Sequence, residues 1–405
     1  MKAVVFHSVG DIRLDEVEEP KIQEPTDAIV RLTSSAICGT DLHMIKGTMA
    51  GMSEGTILGH EGVGVVEEVG PQVRNLKEGD RVVIPSTIGC GYCSYCRAGY
   101  FAQCDNANPN GPQAGTAFFG GPEITGPFDG LQAEYARIPY AYVNHVKLPE
   151  SVTDEQAIMI SDIFPTAYFG AELAEITDGD TVAVFGCGPV GQFAIASAFI
   201  MGAGRVIAVD RQPSRLEMAR AQGGEVFNFD EEDPVEAIQT LTGGIGADRI
   251  IEAVGVDAEA PGSGPAAEQA SQMEEQFQQE TSQVAPETNP QGDLWAPGGA
   301  PSQSLQWATQ AVAKAGTIGI IGVFPPQAMT FPVGALQQRN LTIKGGNCNH
   351  RKYIPNLVGL VATGAFDPTK ILTQQEPVTS AIDAYEAFDQ RSPGCIKVEL
   401  EPSTS

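Results

Sequence analysis

A glycine-rich loop between two apolar stretches sets the fold of one half of the chain. The stretch TVAVF at 181–185 runs directly into Gly186-Cys187-Gly188-Pro189-Val190-Gly191, and an Ala-rich stretch of helical composition follows. The next apolar stretch, RVIAVD, ends at Asp210. Strand, loop, helix and strand in this order predict a βαβ unit, and therefore a parallel sheet with helices on both faces.

The same loop predicts what this unit binds. Its glycines permit a tight turn and a close backbone approach, and the free N–H groups of the following helix suit a pyrophosphate. Asp210 can accept hydrogen bonds from adenine-ribose hydroxyls and repels a 2′-phosphate, which favours NAD over NADP. Arg211 and Arg215, close behind it, oppose that preference. Arg215 either lies beside the adenine end of the cofactor or is a surface cation without a role. The alternative for the glycine loop as a whole is a turn in an α/β domain that binds nothing.

Four of the eight cysteines lie between positions 90 and 104, with two, two and seven residues between them. Four thiolates this close can surround one Zn²⁺ tetrahedrally, and a site closed in this way is structural. An iron–sulfur cluster and disulfides are the competing interpretations. Zinc is favoured because nothing else in the chain suggests electron transfer and no signal peptide is visible. The predicted ligands of this structural zinc are Cys90, Cys93, Cys96 and Cys104.

Local composition and predicted secondary structure divide the chain into parts. Up to about residue 160, short β-prone stretches alternate with Gly- and Pro-rich spans, which predicts a barrel or sandwich. Strands and helices alternate from about residue 164, but residues 257–303 are rich in Gln, Glu, Pro, Ala, Gly and Ser. Their composition predicts a long loop or partly helical insert, with 271–280 as its one helical piece. After it, we expect a helix over 304–316 and a strand over 317–324.

The charge balance excludes one class of partner. The chain has 51 acidic and 24 basic side chains, a formal net charge of −27, which would repel a phosphate backbone and argues against nucleic acid. No apolar run approaches the ~18 residues that span a bilayer, so we expect no membrane association and a cytoplasmic location. The acid excess fits a solubilising surface or a salt-rich cytoplasm, in which salt screens the repulsion.

Two short motifs in the first part of the chain carry further chemistry. They are Cys38-Gly39-Thr40-Asp41-Leu42-His43 and Gly59-His60-Glu61, and they contain two of only five histidines. Alone, Cys38 would be a small buried hydrophobe and His60 a turn histidine. Beside a nucleotide-binding unit, they suggest the ligands of a second zinc site with an open position.

These motifs, in this order, resemble those of the zinc-containing medium-chain dehydrogenase/reductase family, the alcohol dehydrogenase relatives. The resemblance implies an α/β protein in which a GroES-like β-rich catalytic domain is joined to a Rossmann doubly wound parallel-sheet domain. It also implies a homodimer or homotetramer. The expected parts are the catalytic domain at 1–165 with its zinc lobe near 90–104, the Rossmann domain at 166–344 with the insert 257–303, and a C-terminal segment at 345–405 that returns to the catalytic domain.

The resemblance also assigns roles to particular residues. The catalytic zinc takes Cys38 and His60, and its third ligand is Asp162, in the stretch Ser161-Asp162-Ile163-Phe164-Pro165-Thr166. The proton relay and the transient ligand beside the zinc are expected to be Thr40, His43 and Glu61. The residues expected to contact the cofactor are Thr166, Gly186, Gly188, Pro189, Val190, Gly191, Asp210 and Arg215. By a looser alignment, His350 or Arg351 approaches the cofactor phosphates.

The expected function is hydride transfer between a small alcohol or aldehyde hydrate and NAD, with one catalytic and one structural Zn²⁺. Zinc lowers the pKa of the substrate hydroxyl, so that hydride can leave for the nicotinamide. The Asp162 motif and the insert resemble the glutathione-independent formaldehyde dehydrogenase and formaldehyde dismutase branch, which suggests dismutase-type chemistry with tightly retained NAD as an alternative. Larger alcohols or polyols remain open as substrates, and a non-catalytic NAD-binding regulator is the alternative from another class.

Overall fold

A computed structural model describes residues 1–111 and 113–402. The chain forms two units and crosses between them four times. The first unit comprises residues 1–165, 289–295 and 347–405, and the second comprises residues 166–288 and 296–346. Residues 289–295, which are part of the predicted insert, therefore group with the first unit.

The strands and helices are numbered in chain order. The strands are β1 (Lys2–Ser8), β2 (Asp11–Glu16), β3 (Ala28–Ile37), β4 (Gly62–Val69), β5 (Arg81–Ile84), β6 (Tyr135–Ile138), β7 (Val146–Lys147), β8 (Thr181–Phe185), β9 (Arg205–Asp210), β10 (Glu225–Asn228), β11 (Ala247–Glu252), β12 (Val312–Ile320), β13 (Thr342–Gly345), β14 (Gln374–Pro377) and β15 (Val398–Glu401). The helices are α1 (Gly39–Lys46), α2 (Ser94–Arg97), α3 (Asp154–Ser161), α4 (Ile163–Leu173), α5 (Pro189–Ile200), α6 (Pro213–Ala221), α7 (Pro234–Leu241), α8 (Pro265–Gln272), α9 (Glu274–Val284), α10 (Gln303–Ala311), α11 (Val333–Arg339), α12 (His350–Ala362) and α13 (Ala381–Asp389). Among the described residues, no helix combines the length and the apolar character that crossing a membrane requires.

The second unit is built on a six-stranded parallel sheet in the order β10-β9-β8-β11-β12-β13. This is the doubly wound order, in which the chain starts at the centre and moves first to one edge and then to the other. Val182, Ala183 and Val184 of β8 are fully buried, as expected for a strand covered on both faces. The predicted parallel sheet is confirmed.

One boundary in this sheet differs from the sequence-based expectation. Residues 312–316 were expected to continue a helix, but the helix α10 ends at Ala311 and β12 begins at Val312. Val312 pairs there with Ala247 of β11. Pairing with a neighbouring strand has overridden the helical propensity of an Ala-rich stretch.

The first unit carries a mostly antiparallel sheet in the order β14-β15-β3-β4-β5-β7, with β6 paired to β3 and a separate β1–β2 hairpin. The register of β3 against β4 shifts twice, between Ile29 and Val30 and again between Leu32 and Ser34. Such irregularities bend a strand and increase its twist. The last strand, β15, pairs antiparallel with β3, which brings the end of the described chain into this sheet.

The insert contains two helices, α8 and α9, where its composition predicts one helical piece. After them, residues 289–295, here called the strap, pack into the first unit. The Gln291 side chain donates to the Gly10 carbonyl at 2.8 Å, and the Trp295 N–H donates to Asp389 Oδ2 at 2.8 Å. Trp295 is only 3% exposed, so the strap is held within the first unit by a buried aromatic side chain as well as by hydrogen bonds.

Candidate metal centres and cofactor site

Four buried side chains from distant parts of the chain converge in the first unit. Cys38 lies immediately before α1, His60 and Glu61 lie immediately before β4, and Asp162 lies in the break between α3 and α4. One ligand atom of each lies within 4.8 Å of the others. The structure therefore brings together the three predicted ligands of the catalytic zinc and the predicted transient ligand.

The distances within this cluster match those around a tetrahedral zinc ion. Asp162 Oδ2 is 3.7 Å from Cys38 Sγ and 3.5 Å from His60 Nε2. Metal–ligand bonds of about 2.0–2.3 Å in tetrahedral geometry separate ligand atoms by about 3.3–3.8 Å. Cys, His and Asp are ligand types that zinc takes, so both the donor set and its spacing fit this metal.

The electrostatics of the cluster also fit a bound cation. Burial raises the pKa of the Cys38 thiol. Burial also opposes ionisation of Asp162, but hydrogen bonds from His350 and His60 hold the pKa of this carboxyl well below its ordinary value. Among the described residues, Glu61 Oε2 is buried without a hydrogen-bond partner. A divalent cation would favour the thiolate and would compensate the buried carboxylates.

Two buried charged residues, Asp41 and Lys397, contact the candidate ligands. Asp41 accepts a hydrogen bond from the Cys38 N–H at 2.9 Å, and its other oxygen is 3.1 Å from His60 Nδ1. Burial opposes protonation of His60, but the Asp41 carboxylate raises the pKa of the ring. Lys397, which is fully buried, donates to Glu61 Oε1 at 2.6 Å.

Sequence reasoning gave neither of these residues a role. Asp41 stands inside the quoted Cys38–His43 motif, three residues after Cys38, and could have been identified as the partner of that ligand. Lys397 is 336 residues from Glu61 and had no signal of its own.

The predicted relay residues lie at the start of α1. Thr40 Oγ1 is 3.8 Å from Cys38 Sγ, and His43 Nδ1 is 2.8 Å from Thr48 Oγ1. Thr40 therefore lies beside the cluster, and His43 lies one helical turn further along α1. Their role in proton transfer stays a prediction.

His350 and Arg351, the predicted contacts of the cofactor phosphates, both have partners in the first unit. His350 Nε2 is 2.6 Å from Asp162 Oδ1, and Arg351 donates to the Val143 carbonyl at 2.8 Å. His350 thus contacts a candidate metal ligand.

A second cluster contains the four closely spaced cysteines. The sulfurs of the four lie within 4.8 Å of one another, and these four cysteines form no disulfide bonds. Backbone N–H groups donate hydrogen bonds to three of the sulfurs. The Cys90 N–H donates to Cys104 Sγ at 3.2 Å, the Cys93 N–H to Cys90 Sγ at 3.4 Å and the Cys96 N–H to Cys93 Sγ at 3.4 Å. A hydrogen bond from Cys96 lowers the pKa of the Cys104 thiol to about 5. Such a nest of N–H donors stabilises thiolates, so these four residues fit a closed structural zinc site.

The glycine loop has the geometry that a dinucleotide requires. Gly186 has φ +87°, and α5 begins at Pro189 with Gly188 as its cap. A Cβ at Gly191 would overlap the Gly186 carbonyl oxygen, so only glycine fits there. Asp210 ends β9 beside this loop and accepts the Cys187 N–H at 2.8 Å.

The two arginines after Asp210 have different surroundings. Arg211 forms ion pairs with Asp230 and Glu259, both at 2.7 Å, and its guanidinium lies over the Phe229 ring. Arg215 lies near the glycine loop, with NH1 3.9 Å from Asp210 Oδ2. Arg211 is one of the two arginines that argue against the predicted preference for NAD over NADP. In the structure it is paired with two carboxylates.

Comparison with known proteins identifies the family of the chain. The model of the alcohol dehydrogenase GroES-like domain matches residues 24–150, and that of the zinc-binding dehydrogenase matches residues 189–261. A zinc-type alcohol dehydrogenase-like protein, AdhB of Bacillus subtilis (strain 168), is 40% identical over 406 residues, which cover 99% of this chain and 100% of that protein. This chain belongs to the zinc-type alcohol dehydrogenase family.

Other members of the zinc-type alcohol dehydrogenase family extend the comparison. The alcohol dehydrogenase TADH from Thermus sp. ATN1 superposes with a TM-score of 0.81 at 32% identity, with both chains covered in full. A glutathione-independent formaldehyde dehydrogenase of Pseudomonas aeruginosa (strain LESB58) is 38% identical over 272 residues, which cover 64% of this chain and 67% of that protein. The family, its oxidoreductase class and the GroES-like and Rossmann architecture predicted from the motifs are confirmed, and the formaldehyde dehydrogenase branch receives a partial match.

Proposed function

We propose that this protein is a zinc-dependent enzyme that transfers hydride between a small alcohol or aldehyde hydrate and NAD. The observation that carries the proposal is the buried cluster of Cys38, His60 and Asp162, whose ligand atoms are spaced as around a tetrahedral zinc ion. Three protein ligands leave the fourth position for substrate, which is the arrangement of a catalytic rather than a structural zinc.

The metal and the cofactor have separate tasks in this proposal. Bound zinc would supply a Lewis acid that lowers the pKa of the substrate hydroxyl, and NAD would supply the hydride acceptor. Cys38, His60 and Asp162 hold and orient the metal. The second, closed cluster at residues 90–104 would hold a structural zinc that stabilises the surrounding loops.

Glu61 is the proposed transient ligand beside these three residues. Lys397 fixes one of its oxygens, Oε1, at 2.6 Å, while Oε2 has no hydrogen-bond partner among the described residues. Burial raises the pKa of Glu61 to about 7, although Lys397 opposes the shift. Oε2 is therefore the oxygen that can turn toward the metal position while substrate exchanges.

Thr40 and His43 are the proposed route for the hydroxyl proton. The Thr40 hydroxyl can both accept and donate a proton, and it stands next to Cys38. His43, one helical turn further on, has an imidazole, a group that can accept a proton at one ring nitrogen and donate one from the other. The ring is oriented by its contact with Thr48, which keeps it in place to receive the proton.

The proposed cofactor is NAD. The Asp210 carboxylate stands where adenine-ribose hydroxyls would bind, and its charge repels a 2′-phosphate. Arg211, one of the two arginines that could bind that phosphate, is paired with Asp230 and Glu259. Thr166 and Val190 remain the proposed contacts of the nicotinamide, and Arg215 that of the adenine end.

Formaldehyde dismutase-type chemistry is the second candidate. It is favoured by Asp162 as the third metal ligand, by the insert at 257–303 and by the partial match to a formaldehyde dehydrogenase. In such chemistry NAD would stay bound, because the hydride taken from one aldehyde hydrate is returned to a second aldehyde.

An NAD reduction screen tests both candidates. The zinc-loaded protein is mixed with NAD and with formaldehyde, short alcohols or polyols, and NADH absorbance is followed. We expect reduction with at least one of these substrates. Dismutation would instead convert formaldehyde to methanol and formate without added NAD and without net NADH. No turnover of any kind, with zinc present in both sites, would contradict the proposal and favour a non-catalytic regulator.

A further inference from the structure

His350 connects a candidate metal ligand to a second buried side chain. Its Nε2 is 2.6 Å from Asp162 Oδ1, and its Nδ1 is 3.0 Å from Thr87 Oγ1. The Thr87 hydroxyl is also within 3.2 Å of the Cys348 carbonyl oxygen, two residues before His350. His350 and Thr87 are 3% and 4% exposed, so water does not compete for these contacts.

The two oxygens of Asp162 have different surroundings. Oδ2 faces the donor atoms of Cys38 and His60 at 3.7 and 3.5 Å, whereas Oδ1 accepts the hydrogen bond from His350. A carboxylate ligand can turn about its last bond, or bind a metal through both oxygens, unless a second contact fixes it. The His350 ring provides that contact on the side away from Cys38 and His60.

We propose that His350 is the positioning residue of Asp162: it holds Oδ1, so that Asp162 binds the catalytic zinc through Oδ2, and Thr87 sets the orientation of the His350 ring. The proposal rests on Asp162 being a metal ligand, as proposed above. Metal ligands in proteins are commonly held in this way by a second residue, and loss of that residue weakens metal binding by about 10- to 100-fold.

The position of His350 in the fold supports a dedicated role. It is the first residue of α12, and the preceding residue, Asn349, accepts a hydrogen bond from the Ala102 N–H at 3.0 Å. The start of α12 is therefore attached to the zinc lobe, and Thr87 attaches the ring itself. His350 reaches across 188 residues of sequence to a carboxylate that sits in a break between two helices.

Zinc release from the purified holoenzyme tests this role. The protein is mixed with an excess of a chromophoric chelator, and the two zinc ions are followed as separate phases, assigned with Cys104→Ser and Asp162→Ala variants. We expect His350→Ala to accelerate release from the Asp162 site by about 10- to 100-fold. Release from the four-cysteine site should keep its wild-type rate and serves as the internal control.

Two further variants separate positioning from general loosening. His350→Gln keeps an N–H donor near the place of Nε2 and should restore slow release to within a few-fold of wild type, while Thr87→Val should lie between wild type and His350→Ala. Release from His350→Ala at the wild-type rate, or equal acceleration of both phases, would overturn the proposal. If His350→Ala does not fold, failure of His350→Gln to retain zinc better than Thr87→Val would overturn it.

The same measurement distinguishes this proposal from the proposed function. Asp162→Ala should lose one zinc ion altogether. Retention of both ions by Asp162→Ala would show that Asp162 is not a ligand and would remove the basis of the proposed site. Loss of zinc by Asp162→Ala together with wild-type release from His350→Ala would leave the ligand set intact and contradict the role of His350 alone.

Discussion

Buried charged side chains surround the proposed catalytic ligands. Asp41 and Lys397 are both essentially inaccessible, and each pairs with a group in or beside the cluster. Burying a charge is costly unless an opposite charge and hydrogen bonds compensate it. Lys397 meets this condition through Glu61 and through the Ile37 carbonyl, to which it donates at 2.9 Å.

The pair of Lys397 and Glu61 gives a stability prediction. Lys397→Met should lower the free energy of unfolding by about 3–5 kcal/mol, because it leaves the Glu61 carboxylate buried without a partner. Urea unfolding of the zinc-loaded protein measures this. The control is Lys147→Met, since Lys147 pairs with Asp80 at a side chain that is 47% exposed, and such pairs contribute about 0–1 kcal/mol. Equal unfolding curves for the two variants would contradict the assigned role of Lys397.

The surroundings of Arg211 give a prediction about cofactor choice. Asp210→Asn combined with Glu259→Gln removes the charge that repels a 2′-phosphate and one of the two partners of Arg211. We expect the ratio of kcat/KM for NADP to that for NAD to rise by about tenfold or more, the equivalent of about 1.4 kcal/mol. Adding Arg211→Ala should reverse most of the gain. An unchanged ratio in the double variant would mean that these residues do not select the cofactor.

Site residues could be predicted from the sequence where a characteristic spacing of residue types along the chain identifies them. The four cysteines at 90–104 and the glycine loop at 186–191 are local patterns, and their chemistry follows from residue type and separation. Asp162 was found through a family motif, because one carboxylate has no pattern of its own. The contacts of His350 with Asp162 and of Lys397 with Glu61 could not be predicted, since these partners are 188 and 336 residues apart and only tertiary packing brings them together.

The strap is the secondary-structure element that departs most from the sequence-based expectation. Composition predicts a long loop or partly helical insert, and α8 and α9 expose many polar side chains. Residues 289–295 nevertheless pack into the first unit, where the backbone of Trp295 is bonded to Asp389 and Lys46 pairs with the same carboxylate at 3.1 Å. This tryptophan stands alone in a Gln- and Pro-rich stretch, and no local sequence pattern identifies its partner.

Removal of this tryptophan tests how the strap is held. Trp295→Ala should cost about 3–5 kcal/mol of local stability, the usual range for a buried Trp-to-Ala change, and should expose the insert to protease. Limited proteolysis with mass spectrometry should find the first cleavage within 257–303 at a rate well above wild type. Tyr92→Ala, at an aromatic side chain that is 58% exposed, is the control and should leave the cleavage rate unchanged. Equal protection of both variants would show that Trp295 does not anchor the strap.

At the scale of the whole molecule, the most prominent property is the excess of acidic over basic side chains. The net charge is −27, and the insert at 257–303 contributes eight acids and no base. Repulsion between like charges opposes the compact state, and salt screens it over about 10 Å at 0.1 M. Paired acids such as Asp180, whose partner Arg249 lies at 2.9 Å, compensate only part of this excess.

Salt should therefore stabilise the folded protein. We expect the Tm to rise by about 5 °C or more between low ionic strength and about 1 M NaCl, which corresponds to a gain of roughly 1–2 kcal/mol for a domain of this size. Thermal unfolding at several NaCl concentrations measures the slope. A variant with Gln at the exposed positions Glu268, Glu274 and Glu275 should show a smaller slope. A Tm that is constant or falls with salt would contradict the view that charge repulsion limits stability.

Zinc content measured together with NAD reduction tests the central claim most directly. The purified protein should contain two zinc ions per chain, one in each four-residue cluster. Asp162→Ala should contain one, should keep the fold, and should no longer reduce NAD with the substrate that the wild type accepts. Two zinc ions in Asp162→Ala, or full turnover with one, would contradict the assignment of Cys38, His60 and Asp162 as the catalytic metal site.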